Sequence, residues 1–261
     1  MQVDGRAYEK DWPNLPIKHL ILADKDFIVF LDEQFDVDWS TTDDFDQRSQ
    51  TEEEKKQLNF ILNEMANVES YPCHDISNHI IISFKRQIGE SLVRAFEKDF
   101  DNARLMIKQA KRYIIDRNME QSRYMYLYAC GIATLISGIS GVLLWLLRNP
   151  IIGLTGETMF FALLSCLVGA FGAFLSVILR IGKTNLDFNA SKKLHYMEAI
   201  SRIIAGMICG FLIALCIKAG IILPIFNKIE STHLAMVLGG LIAGSSERLA
   251  PSIIKKFDSS K

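Results

Sequence analysis

Residues 124–147 read YMYLYACGIATLISGISGVLLWLL, a run without a single charged side chain. About 20 mostly apolar residues in a helix match the roughly 30 Å hydrocarbon core of a bilayer. Three further runs of this kind follow at 157–179, 203–223 and 233–250. They are apolar on nearly every side, whereas helices of a soluble bundle carry a polar face. The sequence therefore predicts four transmembrane helices.

Charge divides the chain into three parts. Residues 1–75 contain 7 Lys and Arg against 18 Asp and Glu, residues 76–123 contain 10 against 6, and residues 124–261 contain 12 against 6. We therefore predict an acidic N-terminal cap over 1–75, a basic helical hairpin neck over 76–123 and a four-helix transmembrane channel domain over 124–257. The expected fold class is an all-α membrane protein whose spans follow a small, mostly helical N-terminal cytosolic domain.

The distribution of Lys and Arg around the apolar runs predicts their orientation, because basic residues concentrate on the cytoplasmic side. They cluster before the first run, between the second and third, and after the fourth, while the other two connections contain only Arg148 and Lys228. The first 15 residues also lack the apolar core of a secretory signal. We expect a multi-pass membrane protein with both termini in the cytoplasm.

The acidic cap contains weaker structural signals. Two β-type runs at 19–22 and 27–31 suggest a hairpin. The acidic segment 32–46 is either a solvated loop or a cation site, and the loop is favoured because the spacing does not fit an EF-hand. Thr51 and Glu54 have the spacing of a capping box and predict a helix that ends near residue 67.

The neck predicts two amphipathic helices, the second with Asp101 as its N-cap. Their apolar positions are Ile81, Phe84, Ile88, Leu92 and Phe96 in the first, and Ala103, Met106, Ile107, Ala110 and Ile114 in the second. No Pro or Gly separates the second helix from the first apolar run, so we expect it to continue into the membrane and to couple the two parts rigidly.

A row of basic residues lies on the second neck helix, opposite its apolar face. Its members recur at helical spacing and are Arg104, Lys108, Lys111 and Arg112, to which the first neck helix adds Arg86 and Arg94. One interpretation is a binding site for an anion such as a nucleotide or an oligonucleotide. The other, which is the commoner situation, is the basic flank of a membrane span against anionic lipid. Tyr8, Trp12 and Trp39 are further candidates, as stacking platforms for bases.

Small residues recur every four positions in the later runs, as in Gly206, Gly210 and Ala214. Such faces let helices approach closely in lipid. Because these faces exceed the needs of one monomer, we predict a homo-oligomer, with four copies as the expected number.

Charged residues inside spans are costly and often functional. The last run contains Ser245, Ser246, Glu247 and Arg248 near its cytoplasmic end. These residues are candidates either for a pore constriction or for a salt-bridge lock between helices.

Motifs of catalysis and metal binding are missing from the sequence. There is no phosphate-binding loop, no nucleophile elbow and no Cys or His spacing typical of zinc. We expect no enzyme activity, no catalytic residue, no cofactor and no metal site.

Two stretches resemble a known family. The closing run GGLIAGSSERLAPSI (239–253) resembles the Ser-Glu-Arg-(Leu/Phe)-x-Pro signature of small bacterial membrane proteins found in defence gene clusters, and the neck FEKDFDNARLMIKQAKRYIIDRNMEQSR (96–123) resembles the helical hairpin before their spans. The layout of an N-terminal cap above four spans resembles the membrane channel effector of Hailong-type anti-phage systems, which implies a location in the bacterial inner membrane. The resemblance implies a cytosolic crown that binds a single-stranded DNA oligomer made by a partner nucleotidyltransferase. It also implies that the bound oligomer holds the channel closed and that its loss opens the channel and kills the cell.

Two functional hypotheses follow. The leading one is a ligand-gated ion channel effector of bacterial antiviral defence, with the basic row as the site for the oligomer or another nucleotide signal. The alternative is a non-conducting membrane-anchored scaffold or sensor that recruits a soluble partner through its acidic cap. A transporter is a weaker option, because the two-half internal repeat of many transporters is missing.

Overall fold

A computed structural model describes residues 7–73, 76–183, 192–221 and 231–246. Within these ranges the chain is mostly helical and contains one small sheet. The strands are β1 (His19–Ala23), β2 (Phe27–Leu31) and β3 (Val37–Thr41), and the helices are α1 (Asp43–Asp46), α2 (Glu52–Glu69), α3 (Asn78–Phe96), α4 (Phe100–Leu146), α5 (Arg148–Thr155), α6 (Glu157–Arg180), α7 (Lys192–Lys218) and α8 (Thr232–Ser245). The chain divides into an N-terminal unit, Met1–Gln121, and a C-terminal unit, Ser122–Lys261.

Three helices, α4, α6 and α7, are long and apolar enough to cross a bilayer, which suggests a multi-pass membrane protein. α4 continues without a break into the first apolar run, as predicted. α7 begins eleven residues before the predicted start at residue 203, because no Pro or Gly interrupts the polar turns ahead of it. α8 begins as predicted but has only 14 residues before Ser246 adopts an extended conformation. The described part of the fourth run is thus shorter than a span, and residues 247–250 lie outside the described ranges.

The core of the N-terminal unit is built on β2, the central strand of an antiparallel sheet of order β1-β2-β3. Successive side chains of a strand point to opposite faces, and all five residues of β2 are buried because both faces of the strand are covered. Phe27, Val29 and Leu31 pack against α2, α3 and α4, whereas Ile28 and Phe30 pack against the N-terminal lead-in. The predicted hairpin is confirmed, and the prediction of an all-α protein is incomplete.

The third strand was missed because its sequence is dominated by polar and acidic residues. β3 lies in the segment that was predicted to be an acidic loop, and only Val37 of its five residues is buried. β3 pairs with β2 along its whole length, with Val29 opposite Trp39. An edge strand of this kind receives its register from its neighbour rather than from its own hydrophobic pattern.

The neck helices bury the predicted faces. Phe84, Ile88 and Leu92 of α3 are fully buried, and so are Ala103, Ile107, Ala110 and Ile114 of α4. The capping box of Thr51 and Glu54 opens α2 as predicted, with both of its hydrogen bonds present. The predicted N-cap Asp101 is wrong, because Asp99 caps α4 through its own carboxylate and carbonyl oxygens.

A partly buried ion cluster joins α3, α2 and the turn before β3. The ammonium of Lys85 lies 2.7 Å from Glu69 and 2.9 Å from Asp36, and the Lys85 side chain is 7% exposed. Burial lowers the pKa of Lys85, but the hydrogen bonds to Glu69 and Asp36 outweigh burial and the pKa is raised. The stabilisation is therefore complete below the ordinary value of 10.5 and is lost only as the pH rises through the raised pKa.

The C-terminal unit is held together by backbone contacts between α6, α7 and α8. A Cβ atom at Gly169 would overlap the carbonyl group of Gly206, and one at Gly240 would overlap Ser165. The Ser165 hydroxyl lies 2.9 Å from the carbonyl oxygen of Gly210 and 2.7 Å from that of Met236. In lipid such close packing and interhelical hydrogen bonds replace the hydrophobic effect.

α4 and α6 meet through larger side chains. The ring of Phe171 lies 3.0 Å from where a Cβ of Gly138 would stand, and the Ser137 hydroxyl donates to the Leu167 carbonyl over 3.0 Å. At the first turn of α8 the His233 ring stacks on Phe161 of α6, with centroids 4.1 Å apart. The small faces of α6, α7 and α8 are thus occupied within one chain, and they no longer require a second copy. The homo-oligomer stays a prediction.

Lys85→Met should destabilise the full-length protein in detergent by about 2 kcal/mol, between the values for exposed and fully buried pairs, because two carboxylates lose their cation. This corresponds to a fall in Tm of roughly 8 °C for a unit of this size. Arg86→Met is the matched control, since Arg86 forms only an exposed pair with Glu90 at 3.0 Å. Equal Tm values for the two variants would contradict the role of the ion cluster.

Gly169→Leu should prevent α6 from packing against α7 and α8, because the new side chain overlaps backbone that cannot move aside. We expect the variant to lose its single sharp peak in size-exclusion chromatography in detergent. Gly153→Leu is the control, since nothing lies within 4 Å of a Cβ there. Intact, monodisperse Gly169→Leu protein would show that the crossing tolerates side chains.

Candidate functional site

The candidate site is a cationic surface along the edge where the first part of α4 runs beside α2. We call it the α2–α4 surface and define it by Arg104, Lys108, Lys111 and Arg112 of α4 together with Phe60 of α2. Side-chain contacts join Gln57 to Arg104 and Asn118 to the carbonyl group of Pro72, so the two helices run in the same direction. Because the other side of α4 is buried in the core of the N-terminal unit, this row faces outward.

Arg104 is held in place by α2 and is the least available cation of the row. Its guanidinium donates to the side chain of Gln57, lies 5.2 Å from the centroid of the Phe60 ring, and is 3.8 Å from Asp101. Its Nε is buried without a hydrogen-bond partner in the described part of the chain. Arg104 therefore holds Phe60 in place, and its buried Nε is not accessible to a ligand.

Lys108 and Arg112 are the most accessible cations of the surface. Both are exposed, and neither has an ion-pair partner among the residues that the structure describes. They lie one helical turn apart, which brings two positive charges to neighbouring positions on one side of α4. Lys111 lies beside them with its ammonium 5.9 Å from the centroid of the Tyr71 ring.

The structure adds an aromatic residue that the sequence reasoning missed. Phe60 is 50% exposed although it is a large apolar side chain, and Leu105 beside the row is 51% exposed. An exposed aromatic ring next to accessible cations is the combination that binds single-stranded nucleic acids, through base stacking and charge neutralisation. The signal was present in the sequence, because Phe60 interrupts the polar outer face of α2.

The two cations predicted on α3 lie elsewhere. Arg94 donates through Nε to the Met106 sulfur over 2.9 Å, and Met106 flanks the buried face of α4 on the side away from Arg104. Arg86 pairs with Glu90 on its own helix. The structure therefore brings four of the six predicted basic residues to one surface and places these two outside it.

The predicted stacking aromatics have different environments. Trp12 is buried against Ile28 and Phe30, and its indole nitrogen donates to the carbonyl group of Asp24 over 3.2 Å. Tyr8 packs in the same cluster. Trp39 is 40% exposed on the edge strand β3. Trp12 is therefore a core residue rather than a platform for bases.

The predicted constriction is described only in part. Ser245 ends α8, and its hydroxyl donates to the carbonyl group of Ile242 over 2.8 Å, so its hydrogen bond is made within its own helix. Ser246 is the C-cap of α8. Glu247 and Arg248 lie outside the described residues, and their role as constriction or lock stays a prediction.

Within the described residues, no group of three or more His, Cys, Asp or Glu side chains could hold a metal ion. The less favoured alternative, a cation site in the acidic segment, has no such group of ligands among its residues. The carboxylate of Asp32 instead accepts from the backbone of Gln34 and Asp36, which closes the turn between β2 and β3.

Comparisons with protein-family models, with curated proteins and with solved structures give no match for this chain. The resemblance to the Hailong-type effectors therefore stays a prediction that depends on the two quoted stretches and on the predicted layout of a cap and four spans.

Proposed function

We propose that this chain is the subunit of a ligand-gated ion channel of bacterial antiviral defence. In this proposal a single-stranded DNA oligomer or another nucleotide signal binds the cytosolic α2–α4 surface and controls the pore. The observation that carries the proposal is that α4 contains both the accessible cations Lys108 and Arg112 and the first apolar run. The antiviral setting and the partner nucleotidyltransferase depend on the resemblance alone.

The mechanism uses differential affinity. A ligand that binds one arrangement of α4 more tightly than another shifts the population toward that arrangement, and it does so only by the difference in affinity. Lys108 and Arg112 would neutralise phosphates, and the exposed ring of Phe60 would stack a base. Because both regions belong to one helix, an arrangement selected at the surface extends toward the span.

In this proposal the protein crosses the membrane four times, both of its termini lie in the cytoplasm, and several copies form the pore. Three long apolar helices and the apolar α8 support the span count. The basic residues around the runs support the orientation. A second copy would meet the side of α4 where Leu135, Ile139 and Leu146 are exposed.

Lys108→Gln with Arg112→Gln should weaken the binding of a fluorescein-labelled oligodeoxythymidine, because two phosphates lose their cations. Each lost contact should also reduce the slope of log K against log salt by about 0.7, so the double variant should lose about 1.4. Fluorescence anisotropy over a salt series measures both quantities on the full-length protein in detergent.

Two controls separate charge from stacking. Arg86→Gln lies outside the surface and should bind like the wild type. Phe60→Leu should weaken binding at least fivefold with an unchanged salt slope, since it removes a stacked ring and no charge. An unchanged slope in the Lys108 and Arg112 double variant would remove the α2–α4 surface from the proposal.

Single-channel recording in planar bilayers tests conduction. The proposal expects discrete currents that short single-stranded DNA changes and that duplex DNA of the same length leaves unchanged. Currents that DNA does not change would support the channel but contradict DNA as its ligand. Silence from protein shown to be intact would favour the scaffold, whose acidic docking surface includes the exposed residues Asp38, Asp43 and Asp44.

A further inference from the structure

The N-terminal unit contains a cavity of about 90 Å³ that none of the roles above uses. It lies between the last turn of α3, the first turns of α2 and α4, and the segment that follows α1. Its walls include the rings of Phe45, Phe96 and Phe100. A buried water needs roughly 10–15 Å³ of such space, so the cavity accommodates about six water-sized groups, the size of one aromatic ring.

The walls are aromatic and geometrically ordered. Phe45 and Phe96 contact each other edge to face, with centroids 5.5 Å apart, and each also contacts Phe27 from the core. Offset and edge-to-face arrangements are the favoured geometries of aromatic pairs. A planar apolar group that enters the cavity therefore meets preorganised ring edges and faces.

The rim carries more hydrogen-bond donors than acceptors. Glu54 accepts from Lys98 through one oxygen at 2.8 Å and from the backbone of Thr51 through the other at 2.9 Å. Arg48 donates to Asp26 over 2.6 Å. Each oxygen of Glu54 thus already accepts one hydrogen bond, whereas an ammonium has three donors and a guanidinium five. Among the described residues, Lys98 and Arg48 therefore keep donors for a ligand that brings acceptors.

Lys98 reaches the rim from an unusual backbone conformation. It has a φ of 63° and follows the last residues of α3, where its N–H bonds to the carbonyl group of Ala95 and that of Asp99 to the carbonyl group of Arg94. This is the Schellman end of a helix, at which glycine is the usual residue. A lysine there costs about 1 kcal/mol more than glycine, since its Cβ is crowded. The strained conformation places the ammonium of Lys98 at the rim of the cavity.

We propose that this cavity, which we call the Phe96 pocket, binds a small aromatic carboxylate. The ring would lie against Phe45, Phe96 and Phe100, and the carboxylate would accept from Arg48 and Lys98. The local charge is nearly balanced, because Asp26 and Glu54 already pair with the two cations. Recognition therefore depends on donor geometry and ring contact. This inference concerns the N-terminal unit alone and does not depend on the proposed channel.

The test uses 4-fluorophenylacetate as the probe and ¹⁹F NMR line broadening with full-length protein in nanodiscs, with empty nanodiscs as the blank. A ligand of this size should bind with a Kd of about 1 mM. The neutral analogue 4-fluorobenzyl alcohol should bind at least fivefold more weakly, because it loses the carboxylate.

Three variants test whether the probe binds in the Phe96 pocket. Leu58→Phe adds a ring beside the cavity and should abolish binding, and Arg48→Gln should weaken binding at least fivefold. Leu20→Phe, which adds a ring at an exposed position of β1 outside the cavity, should bind like the wild type. Thermal unfolding confirms that each variant is folded.

Binding that Leu58→Phe and Arg48→Gln leave unchanged would overturn the Phe96 pocket, since the probe would then lie elsewhere. The absence of binding at 20-fold the expected Kd would overturn it as well. Equal affinity for the acid and the alcohol would overturn the carboxylate as the recognised group.

Discussion

The crossing of α6, α7 and α8 at backbone distance is the constraint on which the C-terminal unit depends. Gly169 contacts both Gly206 of α7 and Gly244 of α8, so three helices meet where none of them has a side chain. The hydroxyl of Ser165, one turn away, lies within hydrogen-bond distance of carbonyl groups on both other helices, and its single proton is shared between them. Lipid offers no hydrophobic drive for helix association, so contact at this range and these hydrogen bonds must supply it. Larger residues at the crossing would separate all three helices.

This crossing also shows what a spacing pattern can and cannot predict. Small residues at four-residue intervals correctly predict a packing face on each helix, because such faces recur once per turn. The pattern does not identify the partner, which depends on the order and tilt of the helices. The small faces of α6, α7 and α8 meet within one chain, while all four apolar helices keep other, larger apolar residues exposed, such as Leu135 of α4, Ile208 of α7 and Leu238 of α8. The surface of a second copy would therefore be sought among these larger residues rather than on the small faces.

The N-terminal unit was predictable wherever the local chemistry determines the structure. The capping box at Thr51, the continuous apolar run of β2 and the helical spacing of Phe84, Ile88 and Leu92 are each patterns that lie within a few residues of one another. β3 and the Lys85 cluster were missed, because neither has a sufficient signal in its own segment: β3 takes its register from β2, and Lys85 depends on residues distant in sequence. Lys85 and Asp36 are separated by 49 positions, and no local pattern predicts that an isolated lysine on an apolar helix face will find two carboxylates.

The basic row of α4 shows the same difference between what local spacing predicts and what tertiary contacts decide, here for function. Spacing alone assigns equal status to Arg104, Lys108, Lys111 and Arg112, since all four lie on one side of α4. Tertiary contacts then separate them: Arg104 is committed to Gln57 and Phe60, whereas Lys108 and Arg112 remain accessible. A purely lipid-facing flank requires only charge and would tolerate any arrangement of cations. A guanidinium that holds an exposed ring beside two accessible cations is better suited to a ligand that offers bases together with phosphates. For this reason the α2–α4 surface, rather than the net charge of the neck, carries the proposed function.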